Sequence, residues 1–174
     1  MKQIVYRGVE YQEALRVVET QRYHRHERRH FADGVSAKAV FGPGVYLVSN
    51  LQVAAHYAIC HAEKTWDRAA ILAQEIKLDG LYRLDKRYGE NELRDEALRW
   101  RHTGKELRRI SEEMGHQDWL EWTGDEIRTF ILERGLSGIL YEISEELIYY
   151  VCYRPNEQIS RIELVTVFDV QDII

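Results

Sequence analysis

Apolar and polar positions change period several times along the chain, and each change marks a predicted element. Residues 3–7 alternate in character around the β-branched Ile4 and Val5, the pattern of a short strand, which Gly8 is expected to end. In residues 11–21 the apolar positions Tyr11, Ala14, Leu15 and Val18 recur at helical spacing, so an amphipathic helix follows. A polar run rich in His and Arg, residues 22–30, leads into a loop through Ala32, Asp33 and Gly34. Phe41-Gly42-Pro43-Gly44 reads as a tight turn, because Gly and Pro are the strongest local breakers. A strand over residues 45–48 comes next, and Ser49 or Asn50 is placed to cap a helix from residue 51 to about residue 64. Residues 70–78 form another predicted strand, closed by Asp79-Gly80.

Residues 85–134 differ in character. They are charged and helical in period, contain Trp100, Trp119 and Trp122, and carry breakers at Thr103-Gly104, Gly115 and Thr123-Gly124. Two or three helices are expected, the last over residues 125–133 with Gly135 just past its end. Strands over residues 138–143, 147–153 and 162–168 complete the chain, with Arg154-Pro155-Asn156 turning between the last two. Strands and helices do not alternate regularly, and no GxGxxG follows a strand, which disfavours a doubly wound parallel sheet. The expected class is α+β with mostly antiparallel strands, and no internal repeat is visible.

A length of 174 residues suits a single domain, 1–174, with one helical insertion. A hydrophobic fraction of 45% and a charged fraction of 30% describe an ordinary globular chain. The net charge of −5 gives no reason to expect broad nucleic-acid binding, although it leaves room for a local basic patch. Eleven tyrosines against two prolines is a skew that suits walls able to stack on flat rings. Cys60 and Cys152 sit in apolar runs without metal-ligand or CxxC spacing, so both read as buried free thiols of a reducing compartment. No apolar run approaches the ~20 residues that span a bilayer, and the first residues enter a strand pattern rather than a signal peptide. The expected location is cytoplasmic, with no membrane contact.

Three segments carry candidate chemistry, and each has a plain alternative. Arg7-Gly8 can set a bidentate phosphate-binding group beside a bare backbone amide, or Arg7 can be an edge-strand side chain in solvent. Gly44-Val45-Tyr46-Leu47, followed by Ala54-Ala55-His56-Tyr57-Ala58, puts one tyrosine at a strand start and another about two turns into the next helix. Converging rings would clamp a flat heteroaromatic ligand; otherwise these are core tyrosines. Glu145-Glu146 stands at the mouth of a predicted strand, where a carboxylate can accept from a ribose hydroxyl or stabilise positive charge as a glycosidic bond breaks. The alternative is a polar turn. The run from His24 to His30 reads as a solvated loop or as a basic lip, and its spacing supports no metal site.

Together these residues resemble the ADP-ribosyltransferase superfamily, particularly its diphtheria-toxin-like and poly(ADP-ribose)-polymerase-like branch. The segment from Phe41 to Leu47 with Ala54 to Ala58 looks like that family's strand and following helix, with both tyrosines at the family's spacing. The segments Gly135 to Tyr141 and Tyr150 to Ile159 look like its closing strands, and residues 86–121 then form the insertion. The resemblance implies a split antiparallel sheet with flanking helices. It implies that Tyr46 and Tyr57 flank nicotinamide and that Gly8 binds the carboxamide through its backbone; Ala54, one of the small residues that let the helix of Tyr57 pack closely, is counted with them in the cofactor site. Arg7 stands where that branch usually has His; Arg here resembles the cholera-toxin-like branch, where it contacts NAD phosphate or ribose.

The closing strand admits two registers. Alignment on Gln158-Ile159 puts Tyr150, or its neighbour Tyr149, at the place of the catalytic Glu, whereas alignment on the acidic opening of the strand puts Glu146 there. The preferred reading takes Glu146 as catalytic with Arg7 and Tyr46, and gives Glu145, Arg25 and Arg28 to the acceptor. The expected function is NAD-dependent mono-ADP-ribosylation of a protein or nucleic acid by a bacterial or phage effector, with a neutralising antitoxin as a further partner. NAD glycohydrolysis and plain NAD or ADP-ribose binding are the alternatives.

Overall fold

The computed structural model describes residues 1–24, 40–60 and 66–173. In chain order its elements are β1 (Lys2–Glu10), α1 (Tyr11–Thr20), β2 (Val45–Val48), α2 (Leu51–Cys60), β3 (Arg68–Lys77) and β4 (Leu81–Leu84). They continue with α3 (Glu90–Arg101), α4 (Gly104–Glu113), α5 (His116–Glu133), β5 (Gly138–Glu142), β6 (Ile148–Cys152), α6 (Pro155–Gln158) and β7 (Ile159–Asp169). The class is α+β. The strands form one sheet in the order β4-β5-β6-β2-β1-β3-β7. Neighbours pair antiparallel except β4 and β5, which are parallel, so the sheet is mixed rather than wholly antiparallel. Among the described residues no helix is long and apolar enough to cross a membrane.

Alternate residues of a strand face opposite sides of the sheet, and each side is covered differently. Val5 and Val9 of β1, with Leu47 of β2 and Tyr150 of β6, meet Ala14 and Val17 of α1 in a central core. Glu10 starts α1 by accepting from the Glu13 amide at 2.9 Å, satisfying one of the helix's open donors. The other side of the sheet carries two clusters. Ile139 and Val151 pack there with Ile127 and Phe130 of α5, while Val48, Ala69 and Ile71 pack with Ala54 and Ala58 of α2.

Several boundaries differ from the sequence expectation. β1 runs on through Gly8 to Glu10, because α2 lies against the bare Gly8 backbone while β3 pairs the whole strand. The short β4 is a strand that the sequence expectation lacked, and it pairs in parallel with β5. α5 continues unbroken across Thr123-Gly124. Here the Thr123 hydroxyl donates to the Leu120 carbonyl at 3.1 Å, and the turn at Gly42 packs on Gly124. Gly42 has φ of 84°, and a side chain there would clash with the Gly124 carbonyl oxygen at 2.5 Å. β7 begins at Ile159, directly after the single helical turn of α6.

Helices α3 and α5 share a polar tie. Glu126 of α5, 7% exposed, accepts from Arg101 at 2.7 and 2.8 Å, and its carboxylate lies 3.3 Å from His102 Nε2. That bidentate pair fixes the end of α3 against α5.

Candidate functional site

β1 and β2 lie side by side at the middle of the sheet, and their pairing is short. Among the described residues one register pair joins them, Tyr6 opposite Val48. Continued antiparallel pairing would bring Gly8 opposite Tyr46. Instead, the Arg7 guanidinium spans the gap and donates from Nη1 to the Tyr46 carbonyl at 2.8 Å. The strands therefore part just beyond Tyr6, with a side chain bridging where a backbone ladder would continue.

Direct cross-strand partners share a face of the sheet, which assigns the surrounding residues. Tyr46 is opposite Val151 and Val48 is opposite Tyr149, so Tyr149 lies on the same face as Tyr6, Gly8 and Tyr46. α2 covers part of that face. A β-carbon on Gly8 would stand 2.5 Å from both the Ala54 carbonyl oxygen and the Ala58 Cβ, so only glycine admits the helix this close. Tyr57, one α2 position before Ala58, is 37% exposed. Its hydroxyl lies 2.7 Å from that of Tyr149, and the rings meet edge to face at 5.9 Å between centroids. The chain thus brings Gly8, Ala54, Tyr57 and Tyr149 together around the parting of β1 and β2.

Tyr46 is held differently. Its phenol donates to the Gly42 carbonyl at 2.7 Å and accepts from the Phe41 amide at 3.1 Å, while its ring packs on the α5 side. Tyr153 also donates to the Phe41 carbonyl, and Arg128 Nε donates to the Pro43 carbonyl at 3.0 Å. The Phe41–Gly44 turn is therefore fixed by three side chains, which sets where β2 begins. Tyr46 and Tyr57 share a sheet face, but Tyr57 meets Tyr149 whereas Tyr46 holds the turn.

Arg7 points to the opposite, α1 side. It is 4% exposed, and its guanidinium lies 5.4 Å from the Tyr23 ring centroid. Cys152 is in the same core. Burial pushes its thiol up to about 12, against the opposing effect of the Arg7 charge. Tyr150 also turns into this core; burial raises its pKa while Arg83 works in the other direction. Burial raises the pKa of Tyr153 as well, with Arg128 opposing.

Glu145 and Glu146 lie at the exposed tip of the β5–β6 hairpin, before β6 begins. The Glu146 amide donates to Ser144 Oγ at 3.3 Å, and the Glu146 carbonyl accepts from Ser49 Oγ at 3.4 Å. Ser49 in turn accepts from the Ile148 amide at 2.9 Å, tying the hairpin tip to the end of β2. Capping of α2 falls to Asn50, whose Oδ1 accepts from the Val53 amide at 3.1 Å. Tyr150 faces the central core, away from Gly8 and Tyr57, but Glu146 precedes β6, so strand alternation does not assign it a face. Arg25 and Arg28 lie outside the described residues. Among the described residues no group of three His, Cys, Asp or Glu side chains is arranged to hold a metal ion.

Sequence reasoning gave Tyr149 no role of its own beyond an alternative register. The available signal was the pairing of β2 with β6: once Val48 is opposite position 149, that residue must share the face of Tyr46. No known family model matches the chain, and neither curated proteins nor solved structures match it.

Proposed function

We propose that this chain is an NAD-binding domain of the ADP-ribosyltransferase type, transferring ADP-ribose to a macromolecular acceptor. The observation that carries this reading is the parting of β1 from β2 beside Gly8, Tyr57 and Tyr149, with the Phe41–Gly44 turn and Tyr46 on the same sheet face. Amphipathic rings around a break between strands suit a flat heteroaromatic ligand that also carries hydroxyl groups. In this reading Tyr57 and Tyr46 wall the nicotinamide and the Gly8 backbone meets its carboxamide. Arg7 is a positioning residue, which sets the width of the parting through the Tyr46 carbonyl. Glu146 approaches from the hairpin tip as the carboxylate that stabilises developing positive charge on the ribose. Glu145 and the basic side chains Arg25 and Arg28 are assigned to the acceptor. The buried free thiol of Cys152 fits a cytoplasmic setting.

Binding without transfer is the second reading, and one observation favours it. The β6 residue beside Tyr57 is Tyr149, a phenol, while both glutamates lie outside the strand. A phenol donates and accepts hydrogen bonds but brings no carboxylate charge to a breaking glycosidic bond.

Incubation with NAD labelled in its adenylate half separates the readings. Transfer predicts label on protein or nucleic acid together with released nicotinamide. It also predicts that Glu146→Gln lowers the rate by about a hundredfold or more with NAD affinity retained. Released nicotinamide without labelled macromolecule indicates hydrolysis. Saturable binding with neither product indicates the binding module, and absence of binding removes the proposal.

A further inference from the structure

We infer that Tyr149 is the ligand-binding group that β6 contributes to this site, and that with Tyr57 it holds a sugar hydroxyl of the ligand. The inference rests on the NAD-binding reading and deepens it. Its basis is geometric. β2–β6 register puts Tyr149 on the face that carries Gly8 and Tyr46, while the adjacent Tyr150 is 2% exposed in the opposite core. Tyr149 reaches from the sheet to α2, where its hydroxyl meets that of Tyr57 at 2.7 Å.

The chemistry of that contact selects the ligand group. Each phenol oxygen both donates and accepts, so a ligand hydroxyl can enter between the two and replace their mutual bond with one bond to each. A phosphate has only acceptors to offer and is matched better by Arg, Lys or a run of backbone amides. A sugar hydroxyl offers both functions, as the phenols do. The edge-to-face rings at 5.9 Å add an apolar flank on which the carbon face of a sugar can rest. Tyr57 stands on α2 and Tyr149 on β6, so the pair also gives the ligand a grip on both walls of the site.

Calorimetric titration of NAD into the wild type, Tyr149→Phe and Tyr149→Ala tests this. Tyr149→Phe keeps the ring and removes one hydroxyl, so its Kd is expected to rise roughly tenfold, and Tyr149→Ala is expected to bind more weakly still. A melting curve of Tyr149→Phe that overlays the wild type excludes loss of fold as the cause. ADP-ribose, which keeps the sugars and lacks nicotinamide, is expected to lose affinity by a similar factor. Wild-type binding with an unchanged Kd in both variants overturns the inference and leaves the NAD reading standing. Failure of the wild type to bind NAD overturns both.

Discussion

Arg7 and Gly8 are neighbours in sequence with opposite structural duties. Gly8 faces α2 and makes room for it, whereas the Arg7 guanidinium lies on the α1 side and bonds the Tyr46 carbonyl at 2.8 Å. Arg7→Met keeps most of the apolar stem and removes the charged donor to that carbonyl. A loss of about 2 kcal/mol is expected, read as a lower denaturant midpoint with an unchanged slope. A second residue-scale prediction concerns pH. Burial raises the pKa of the Cys152 thiol from its ordinary 9.0 to about 12. The folded chain keeps this proton while the unfolded chain loses it, so this contribution to stability is complete below pH 9 and declines as pH rises towards 12. Cys152→Val is therefore expected to flatten the alkaline part of the stability profile relative to wild type. Equal slopes in the two proteins would refute that assignment.

At the scale of elements, the close approach of α2 to β1 is the contact on which the site depends. Gly8→Val forces a side chain into the Ala54 carbonyl and Ala58, so α2 must shift. A cost of about 1–3 kcal/mol is expected, accompanied by loss of NAD affinity beyond that of a surface variant of equal stability. The α3–α5 tie should behave as a separate unit. Arg101→Ala leaves the buried Glu126 carboxylate without its bidentate partner. Because Arg101 is itself partly exposed, about 1 kcal/mol is expected. Faster amide exchange should appear at the end of α3 and in α5, with the β1–β3 ladder unchanged.

These elements also show why part of the fold was legible from sequence. The Phe41–Gly44 turn, β2 and α2 follow from breakers, β-branched residues and a capping Asn50, all of which act locally. β4 was hidden because Leu81–Leu84 is too short to establish a period, and its strand character comes from β5, over fifty residues away. The glycines at 8 and 124 were read as breakers because local propensity disfavours them; packing against α2 and against Gly42 holds both inside regular elements. Tyr57 was singled out from spacing. Tyr149 required the β2–β6 register, and a one-residue change in register reverses the face of every residue on a strand. The sequence reading gave Glu146 and Tyr150 one strand parity, but β6 begins only at Ile148, so the alternation that turns Tyr150 into the central core does not extend to Glu146.

Over the whole molecule, one seven-stranded sheet separates a central core under α1 from two outer clusters, and the candidate site lies where those outer clusters meet over β2 and β6. A ligand held there touches β1, β2, α2 and β6, which are distant in sequence and adjacent in space. The most direct test is amide hydrogen–deuterium exchange of the wild-type chain with and without saturating NAD. Slower exchange is expected in peptides containing Gly8, Tyr46, Tyr57 and Tyr149, with α4 unaffected. No change on adding NAD, or protection confined to α3 and α4, would contradict NAD binding at this site.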